Sequence, residues 1–244
     1  MCSVAPAGSA EKACASVRQA LRGVTRLFLL SSGVDPHAAE APAIGVARET
    51  GVQRIVKLSA LGSHADATNS FLRGHARAER LLEDSGLEWT SVRPTFFMQN
   101  WLLYSAPAIR AGQPVYSNTG QSRLAWIDTR DIAEVVAAAL TGDEHVGRVL
   151  DLTGPEALSY TQVTERIGKG LQRTVQHIPV SDRAAYTAMA AGMPAAYAFA
   201  LTTLNQAVRR GIAETTTDTV ELVTGRPART MDAFLSEHLG EFRG

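Results

Sequence analysis

The hydrophobic positions of this sequence fall in short runs that stop at glycine or proline. The four clearest runs span residues 27–32, 54–60, 89–93 and 149–153. Apolar runs of this length, bounded in this way, are typical of buried parallel strands. The pattern therefore predicts four sheet strands, and residues 175–180 form a further strand candidate.

Helical patterns with recognisable ends separate these runs. Asp35 precedes Pro36, which places a capping carboxylate before a proline at the first helical position. Residues 75–84 end at a Ser-Gly pair, residues 129–140 carry an apolar face, and Ser159 begins a capping-box pattern. Strands alternating with helices predict an α/β protein with a doubly wound parallel, Rossmann-like sheet.

The regular alternation ends at Gly154, and an alanine-rich sequence follows. We expect a Rossmann-like core over residues 1–154 and a small, mostly helical C-terminal lobe over residues 155–244. The uncharged residues 184–208 include glycine, proline, asparagine and glutamine, so this stretch is not expected to cross a membrane.

Charge and cysteine content narrow the functional classes. Twenty-four basic and 24 acidic residues give a formal net charge of +0, so no field attracts nucleic acid or anionic lipid. The two cysteines, Cys2 and Cys14, belong to no cluster with metal-ligand spacing and follow no secretory segment. These features predict a reduced, cytoplasmic protein without a metal site.

Five sequence blocks carry a family resemblance. They are RLFLLSSG at 26–33, IVKLSALG at 55–62, SGLEWTSVRPTFFMQN at 85–100, IDTRDIAE at 127–134 and LTGP at 152–155. In this order they resemble the NmrA-like family of atypical short-chain dehydrogenases, which includes small NAD(P)H quinone and azo-dye oxidoreductases and nucleotide-sensing regulators. The resemblance implies a Rossmann-like sheet, NAD(P)H as cofactor and hydride transfer to a quinone or another conjugated small molecule.

The family's dinucleotide fingerprint is not found in this sequence. Its first strand-to-helix turn carries Gly-x-x-Gly-x-x-Gly, which lets backbone amides approach the cofactor pyrophosphate. No three glycines before position 60 have this spacing, and residues 11–24 resemble the helix before the family's fourth strand. The sheet is therefore expected to be incomplete at the N-terminus. Two explanations stay open: the natural protein is longer and binds NAD(P)H, or this chain works without the dinucleotide.

The Tyr-x-x-x-Lys pair of short-chain dehydrogenases is also altered. His75 stands where isoflavone-reductase-like relatives carry the lysine, and Phe71, four residues earlier, has no proton to donate. His75 is a candidate general acid or base, since its ordinary pKa is about 6.5. The alternative is a histidine at a helix start that contacts Glu79. Ser59 is the second catalytic candidate, or its hydroxyl satisfies backbone groups.

The remaining candidates follow from the resemblance and from the rule that open α/β sheets bind ligands at the carboxyl ends of their strands. Cofactor contacts are expected from Ser31, Ser32, Ser59, Ala60, His75, Pro94, Thr95 and Phe96. Substrate contacts are expected from Phe97, Asn100, Met189, Met193 and Tyr197. Gln99 and Asn100 have an alternative role in capping the next helix, and Asp128 and Asp131 are expected to interact with a helix dipole.

The leading hypothesis is an oxidoreductase that passes a hydride from NAD(P)H to a quinone or similar acceptor. Water can protonate the product, so the missing tyrosine is tolerated. One alternative is a cofactor-independent cyclase, isomerase or dehydratase that uses the vacated nicotinamide cleft, with His75 as its acid or base. Another is a non-catalytic, ligand-sensing regulator. The open edge of the strand at residues 27–32 predicts a homodimer.

Overall fold

The computed structural model describes residues 7–243 and divides into two compact units. One unit comprises Met1–Arg93 and Val136–Leu150, and the other comprises Pro94–Val135 and Asp151–Gly244. The expected division into a core and a lobe at residue 154 stays a prediction. Cys14 is buried, and Cys2 lies outside the described residues.

Strands and helices alternate through the first part of the chain, as predicted. The strands are β1 (Arg26–Leu29), β2 (Arg54–Leu58), β3 (Glu88–Pro94), β4 (Val115–Ser117), β5 (Arg148–Leu152) and β6 (His177–Pro179). The helices are α1 (Ala7–Ala20), α2 (Pro36–Glu49), α3 (Ser70–Glu83), α4 (Ala106–Arg110), α5 (Thr129–Thr141), α6 (Tyr160–Leu171), α7 (Asp182–Ala190), α8 (Ala195–Arg209), α9 (Thr219–Thr224) and α10 (Met231–His238). A π-helical turn spans Trp101–Ser105, and a 3₁₀ turn spans Leu239–Phe242.

The main sheet has the strand order β1-β2-β3-β5, and β1–β2 and β2–β3 pair in parallel. Ile55 lies opposite Leu27 on one side and opposite Trp89 on the other. A parallel sheet with connecting helices confirms the predicted α/β, Rossmann-like class.

Two predicted strands end earlier than their apolar runs. β1 stops at Leu29, so Ser31 lies in the loop beyond it, and β2 stops at Leu58. The backbone N–H of Ser59 still donates to Val92 O at 2.7 Å, which extends the ladder by one bond. The serines predicted to contact a ligand therefore begin the loops at the carboxyl edge of the sheet.

Helices α2 and α3 cover this part of the sheet in the first unit. α2 begins at Pro36 as predicted, and the Asp35 carboxylate accepts from Ala38 N at 3.3 Å. α3 begins at Ser70 rather than at residue 75, because the Asn69 side chain caps it and accepts from Leu72 N at 3.2 Å. The predicted helix start at residue 75 is therefore wrong by five residues.

The second unit has its own aromatic core. Trp101 and Trp126 are almost fully buried, with ring centroids 5.6 Å apart. The predicted capping box is confirmed: Ser159 Oγ accepts from Gln162 N at 3.2 Å, and Gln162 Oε1 accepts from Ser159 N at 3.0 Å. Gly154 approaches the Trp126 carbonyl so closely that an added Cβ would stand 1.8 Å from that oxygen.

A helix break interrupts the uncharged stretch of the second unit. α7 ends at Ala190, and α8 begins directly after Pro194. Met189 therefore lies in α7, Met193 in the turn and Tyr197 in α8. Within residues 7–243, no helix combines the length and the apolar character needed to cross a membrane.

Candidate active site

Four polar side chains meet at the carboxyl edge of the first unit. Ser31 Oγ donates to Glu40 Oε1 at 2.7 Å, and Lys57 Nζ lies 2.9 Å from Glu40 Oε2. Lys57 Nζ is also 3.0 Å from His75 Nδ1. The loop after β1, helix α2, strand β2 and helix α3 each supply one member of this network.

Local packing brings the two helices of the network together. Gly74 in α3 lies against the start of α2, where a Cβ on Gly74 would stand 2.6 Å from Pro36 Cδ. Only a glycine permits this approach without a shift of the Pro36 ring. His75 follows Gly74 directly, and its Nδ1 lies 3.0 Å from Nζ of Lys57 on β2.

Lys57 is fully buried, and burial lowers the pKa values of both Lys57 and His75. Burial lowers the pKa of Lys57, and the carboxylate of Glu40 opposes this shift. Burial, followed by the positive charge of Lys57, lowers the pKa of His75 to about 3. His75 is therefore a neutral imidazole at neutral pH.

Glu79, the alternative partner predicted for His75, is bound elsewhere. Arg93 Nε donates to Glu79 Oε1 at 2.8 Å and its NH2 donates to Oε2 at 2.6 Å. His75 lies in the second turn of α3 and contacts Lys57. The prediction of a helix-start histidine paired with Glu79 is therefore wrong.

Ser59 carries a buried hydroxyl at the end of β2. Its Oγ has no hydrogen-bond partner among the described residues. The alternative in which this hydroxyl satisfies backbone groups is therefore wrong. Nearby, the carbonyl of Ala60 accepts from Ser63 Oγ at 2.7 Å, and Ser32 is exposed.

Pro94, Thr95 and Phe96 belong to the second unit, where they end β3 and begin the following loop. Thr95 N donates to Leu152 O at 2.9 Å, while its buried Oγ1 has no partner within the described part of the chain. The Phe96 ring packs edge-on against Trp126 with centroids 6.0 Å apart. Phe96 thus packs in the core of the second unit and directly follows Thr95, whose hydroxyl is buried and unsatisfied within the described part of the chain.

The predicted capping roles of Gln99 and Asn100 differ from what the structure shows. Asn100 precedes the π-helical turn, but in the described chain its side chain makes no capping hydrogen bond. Gln99 instead connects to α5: its Oε1 accepts from Thr129 N at 3.0 Å and its Nε2 donates to Asp128 at 2.9 Å. Phe97 and Asn100 are half-buried.

Arginines hold the two aspartates at the start of α5. Asp128 accepts from Arg130 NH2 at 2.7 Å, and the arginine and Gln99 hydrogen bonds outweigh burial to lower the pKa of Asp128. Asp131 accepts from Arg229 N at 2.9 Å, yet burial raises the pKa of Asp131. Both carboxylates are engaged in ion pairs that fix the start of the helix.

Sequence reasoning missed Lys57 and Glu40. A usable signal was present, because a lysine inside the apolar strand sequence RIVKL must be buried and needs a negative partner. Glu40 lies 17 positions away on another element, so only the folded chain shows that it is this partner.

A sequence model of the NAD(P)H-binding family matches residues 7–143, more than half of the chain. The chain belongs to the NAD(P)H-binding family. This match confirms the predicted NmrA-like relationship, and the family that it identifies is one that binds NAD(P)H.

Individual relatives agree with this assignment. NAD(P)H azoreductase of Xenophilus azovorans is 35% identical over 225 residues, covering 91% of this chain and 78% of that protein. Quinone oxidoreductase 2 of Escherichia coli is 30% identical over 222 residues, covering 89% and 76%. The structure of an NADPH-dependent quinone oxidoreductase from Escherichia coli in complex with NADPH has a TM-score of 0.82 at 25% identity, covering 92% and 80%. The predicted oxidoreductase class is thereby confirmed.

Proposed function

We propose that this protein transfers a hydride from NAD(P)H to a quinone or another flat, conjugated acceptor, and that His75 binds the acceptor oxygen. The observation that carries the proposal is the Ser31–Glu40–Lys57–His75 network at the carboxyl edge of β1 and β2, where α/β sheets bind ligands. The azoreductase and quinone oxidoreductase relatives support the choice of acceptor class.

The residues after β2 suit the nicotinamide-bearing end of the cofactor. The Ser59 hydroxyl is buried and unsatisfied among the described residues, a costly arrangement that a ligand's polar group would relieve. Ser31, Ser32 and Ala60 start the neighbouring loops and complete this proposed contact surface in the first unit. The pyrophosphate motif Gly-x-x-Gly-x-x-Gly is not in this sequence, so we assign no residue to the pyrophosphate.

The bound cofactor supplies the hydride, and the chain holds and polarises the acceptor. Lys57 donates to His75 Nδ1, which leaves the hydrogen of the neutral ring on Nε2. The Nε2–H group donates a hydrogen bond to the acceptor oxygen and stabilises the negative charge that develops there during hydride transfer. A neutral imidazole suits this role, because it acts as a donor without first taking up a proton.

The candidate residues of the second unit are proposed from features of that unit alone. Thr95 has a buried hydroxyl unsatisfied within the described chain, which suits a cofactor contact, and Pro94 and Phe96 flank it. The residues proposed to contact the acceptor are half-buried and therefore partly accessible: Phe97, Asn100, Met189, Met193 and Tyr197.

The direct test of the His75 role is steady-state kinetics with NADPH and a panel of quinones and azo dyes. We expect His75→Ala to lower kcat by about 100-fold while NADPH still binds, because the donor to the acceptor oxygen is lost. The matched control is His64→Ala, since His64 is an exposed loop residue that is not a member of the Ser31–Glu40–Lys57–His75 network. Equal kcat for His75→Ala and His64→Ala would remove His75 from the reaction.

Cofactor titration separates the alternatives. Fluorescence titration with NADPH and NADH is expected to show binding. Binding without turnover of any acceptor would favour a ligand-sensing regulator. No binding, together with a redox-neutral conversion, would favour the cofactor-independent cyclase, isomerase or dehydratase.

The expected location in the cytoplasm stays a prediction.

We also propose that the protein forms a homodimer through β1. In the described sheet β1 has a neighbour on one side, and Phe28 and Leu30 are 40% and 57% exposed. An apolar edge strand favours pairing with a second copy. Light scattering coupled to size-exclusion chromatography is expected to give the dimer mass, and a monomer at high micromolar concentration would contradict it.

A further inference from the structure

Lys57 is surrounded by three acceptor atoms in the interior of the first unit. Its Nζ donates to Leu58 O at 3.0 Å, lies 3.0 Å from His75 Nδ1 and lies 2.9 Å from Glu40 Oε2. The contact with Glu40 is an ion pair that falls outside the alignment of a hydrogen bond. An ammonium group has three hydrogens and no acceptor, so every contact of Nζ uses a Lys57 hydrogen or its charge.

This arrangement fixes the tautomer of His75. Because Lys57 can only donate, Nδ1 must accept, and the ring hydrogen of neutral His75 resides on Nε2. Burial and the charge of Lys57 lower the pKa of His75 to about 3, so an imidazolium is not available as a proton donor near neutral pH. If His75 gives its Nε2 proton to a product oxygen, another group must deliver a proton to Nδ1.

We propose that Lys57 delivers this proton, so that His75 and Lys57 act as a relay that protonates the reduced acceptor. The inference rests on the proposed function. Hydride transfer brings two electrons and one proton to the acceptor and leaves negative charge on its oxygen. The oxygen then forms an O–H bond as the His75 Nε2–H bond breaks. At the same time Nδ1 gains a hydrogen as one Nζ–H bond of Lys57 breaks.

After the proton has been transferred, the side chains of Lys57 and His75 are both neutral. Lys57 becomes a neutral amine, His75 stays neutral with its hydrogen on Nδ1, and Glu40 stays ionised, so the network has lost one proton. A proton from water restores it. The half-buried Ser31, whose Oγ donates to Glu40 Oε1 at 2.7 Å, connects the buried carboxylate to the exposed Ser32.

The charges around Lys57 favour proton release without preventing protonation. Burial lowers the pKa of Lys57, as does the positive charge of Arg93 on β3. Glu40 on α2 and Glu79 on α3 oppose this shift. His75 is the remaining titratable side chain described in contact with Nζ.

Nitrogen NMR of labelled histidine tests the tautomer without any turnover. We expect wild-type His75 to carry its hydrogen on Nε2 at neutral pH and to resist protonation down to about pH 3. In the double variant Lys57→Met/Glu40→Gln, which removes both charges together, we expect mixed tautomers and a His75 pKa closer to 6.5. A wild-type His75 with its hydrogen on Nδ1, or protonated at pH 7, would overturn the proposal.

Lys57→Arg separates proton delivery from positioning. A guanidinium still donates to Nδ1 but does not release a proton in proteins. We therefore expect the wild-type tautomer and an unchanged KM together with a kcat lower by about 100-fold. A kcat within about twofold of wild type would overturn proton delivery, since general acid catalysis contributes far more than that. If arginine does not fit, the double variant gives the same decision, because retained kcat there would also overturn it.

Different results would contradict the proposed function and the Lys57–His75 proton relay. If the wild-type protein oxidised no NADPH with any acceptor, the proposed function would fall and proton delivery with it, even with the expected tautomer. If wild-type turnover were normal but independent of Lys57, only the relay would fall.

Discussion

Gly74 of α3 touches Pro36, the first residue of α2, so closely that a Cβ on Gly74 would lie 2.6 Å from the proline Cδ. The added Cβ would also lie 3.2 Å from Oδ1 of Asp35, the residue that caps α2. This contact holds together the two helices that supply Glu40 and His75. The polar network therefore depends on a glycine that has no polar group of its own.

Gly74→Ala is expected to destabilise the protein by about 1–3 kcal/mol, because the added methyl forces the Pro36 ring or the whole of α3 to move. Urea denaturation followed by circular dichroism measures the free energy of unfolding. Gly45→Ala is the matched control: Gly45 lies within α2 with nothing within 4 Å of an added Cβ. It should gain about 0.5–1 kcal/mol. A Gly74→Ala protein as stable as wild type would contradict the close contact.

Arg93→Met should cost about 3 kcal/mol of stability, because Glu79 would be left as a buried carboxylate without its bidentate partner. Arg80→Met removes an exposed partner of Asp84 from the same region and should cost less than about 1 kcal/mol. The comparison of the two unfolding free energies is the measurement. Equal losses would mean that the Arg93–Glu79 pair contributes no more than a surface ion pair.

The lowered pKa of His75 should make stability depend on pH. The unfolded chain takes up a proton at His75 near pH 6.5, whereas the folded chain resists protonation down to about pH 3. The unfolded state therefore binds more protons in this window, and stability falls as pH falls from about 6.5 to 3.

His75→Asn removes this titration while keeping an acceptor for Lys57. Its stability should fall less steeply with acid than that of wild type, by up to about 1.4 kcal/mol per pH unit. Unfolding free energies measured at several pH values decide the matter. Parallel pH profiles for wild type and His75→Asn would show that His75 titrates normally in the folded protein.

The sequence predicted the strands and their class better than their ends. Buried parallel strands leave continuous apolar runs, which explains why β1, β2, β3 and β5 were found. Their ends depend on local bonds: β1 stops at Leu29 although the apolar run reaches Leu30. The start of α3 was missed because Asn69 supplies a cap within a polar loop that shows no periodicity.

The sequence also predicts only part of the candidate site, and the folded structure is needed for the rest. The position of His75 followed from a family resemblance, but its neighbours did not. Glu40, Lys57 and His75 are separated by 17 and 18 positions along the chain, and nothing local links them. Their pairing results from the packing of α2 and α3 on β2, and that packing changes His75 from an ordinary acid–base candidate into a neutral donor.

Direct observation of hydride transfer tests whether this protein is an NAD(P)H-dependent oxidoreductase. The protein is mixed without oxygen with a quinone and with NADPH carrying deuterium at the transferred position of the nicotinamide. We predict loss of the reduced-nicotinamide absorbance in step with hydroquinone formation, slower for the deuterated than for the ordinary cofactor. Failure to bind NADPH or NADH at millimolar concentration, with no oxidation of either, would contradict hydride transfer by this protein.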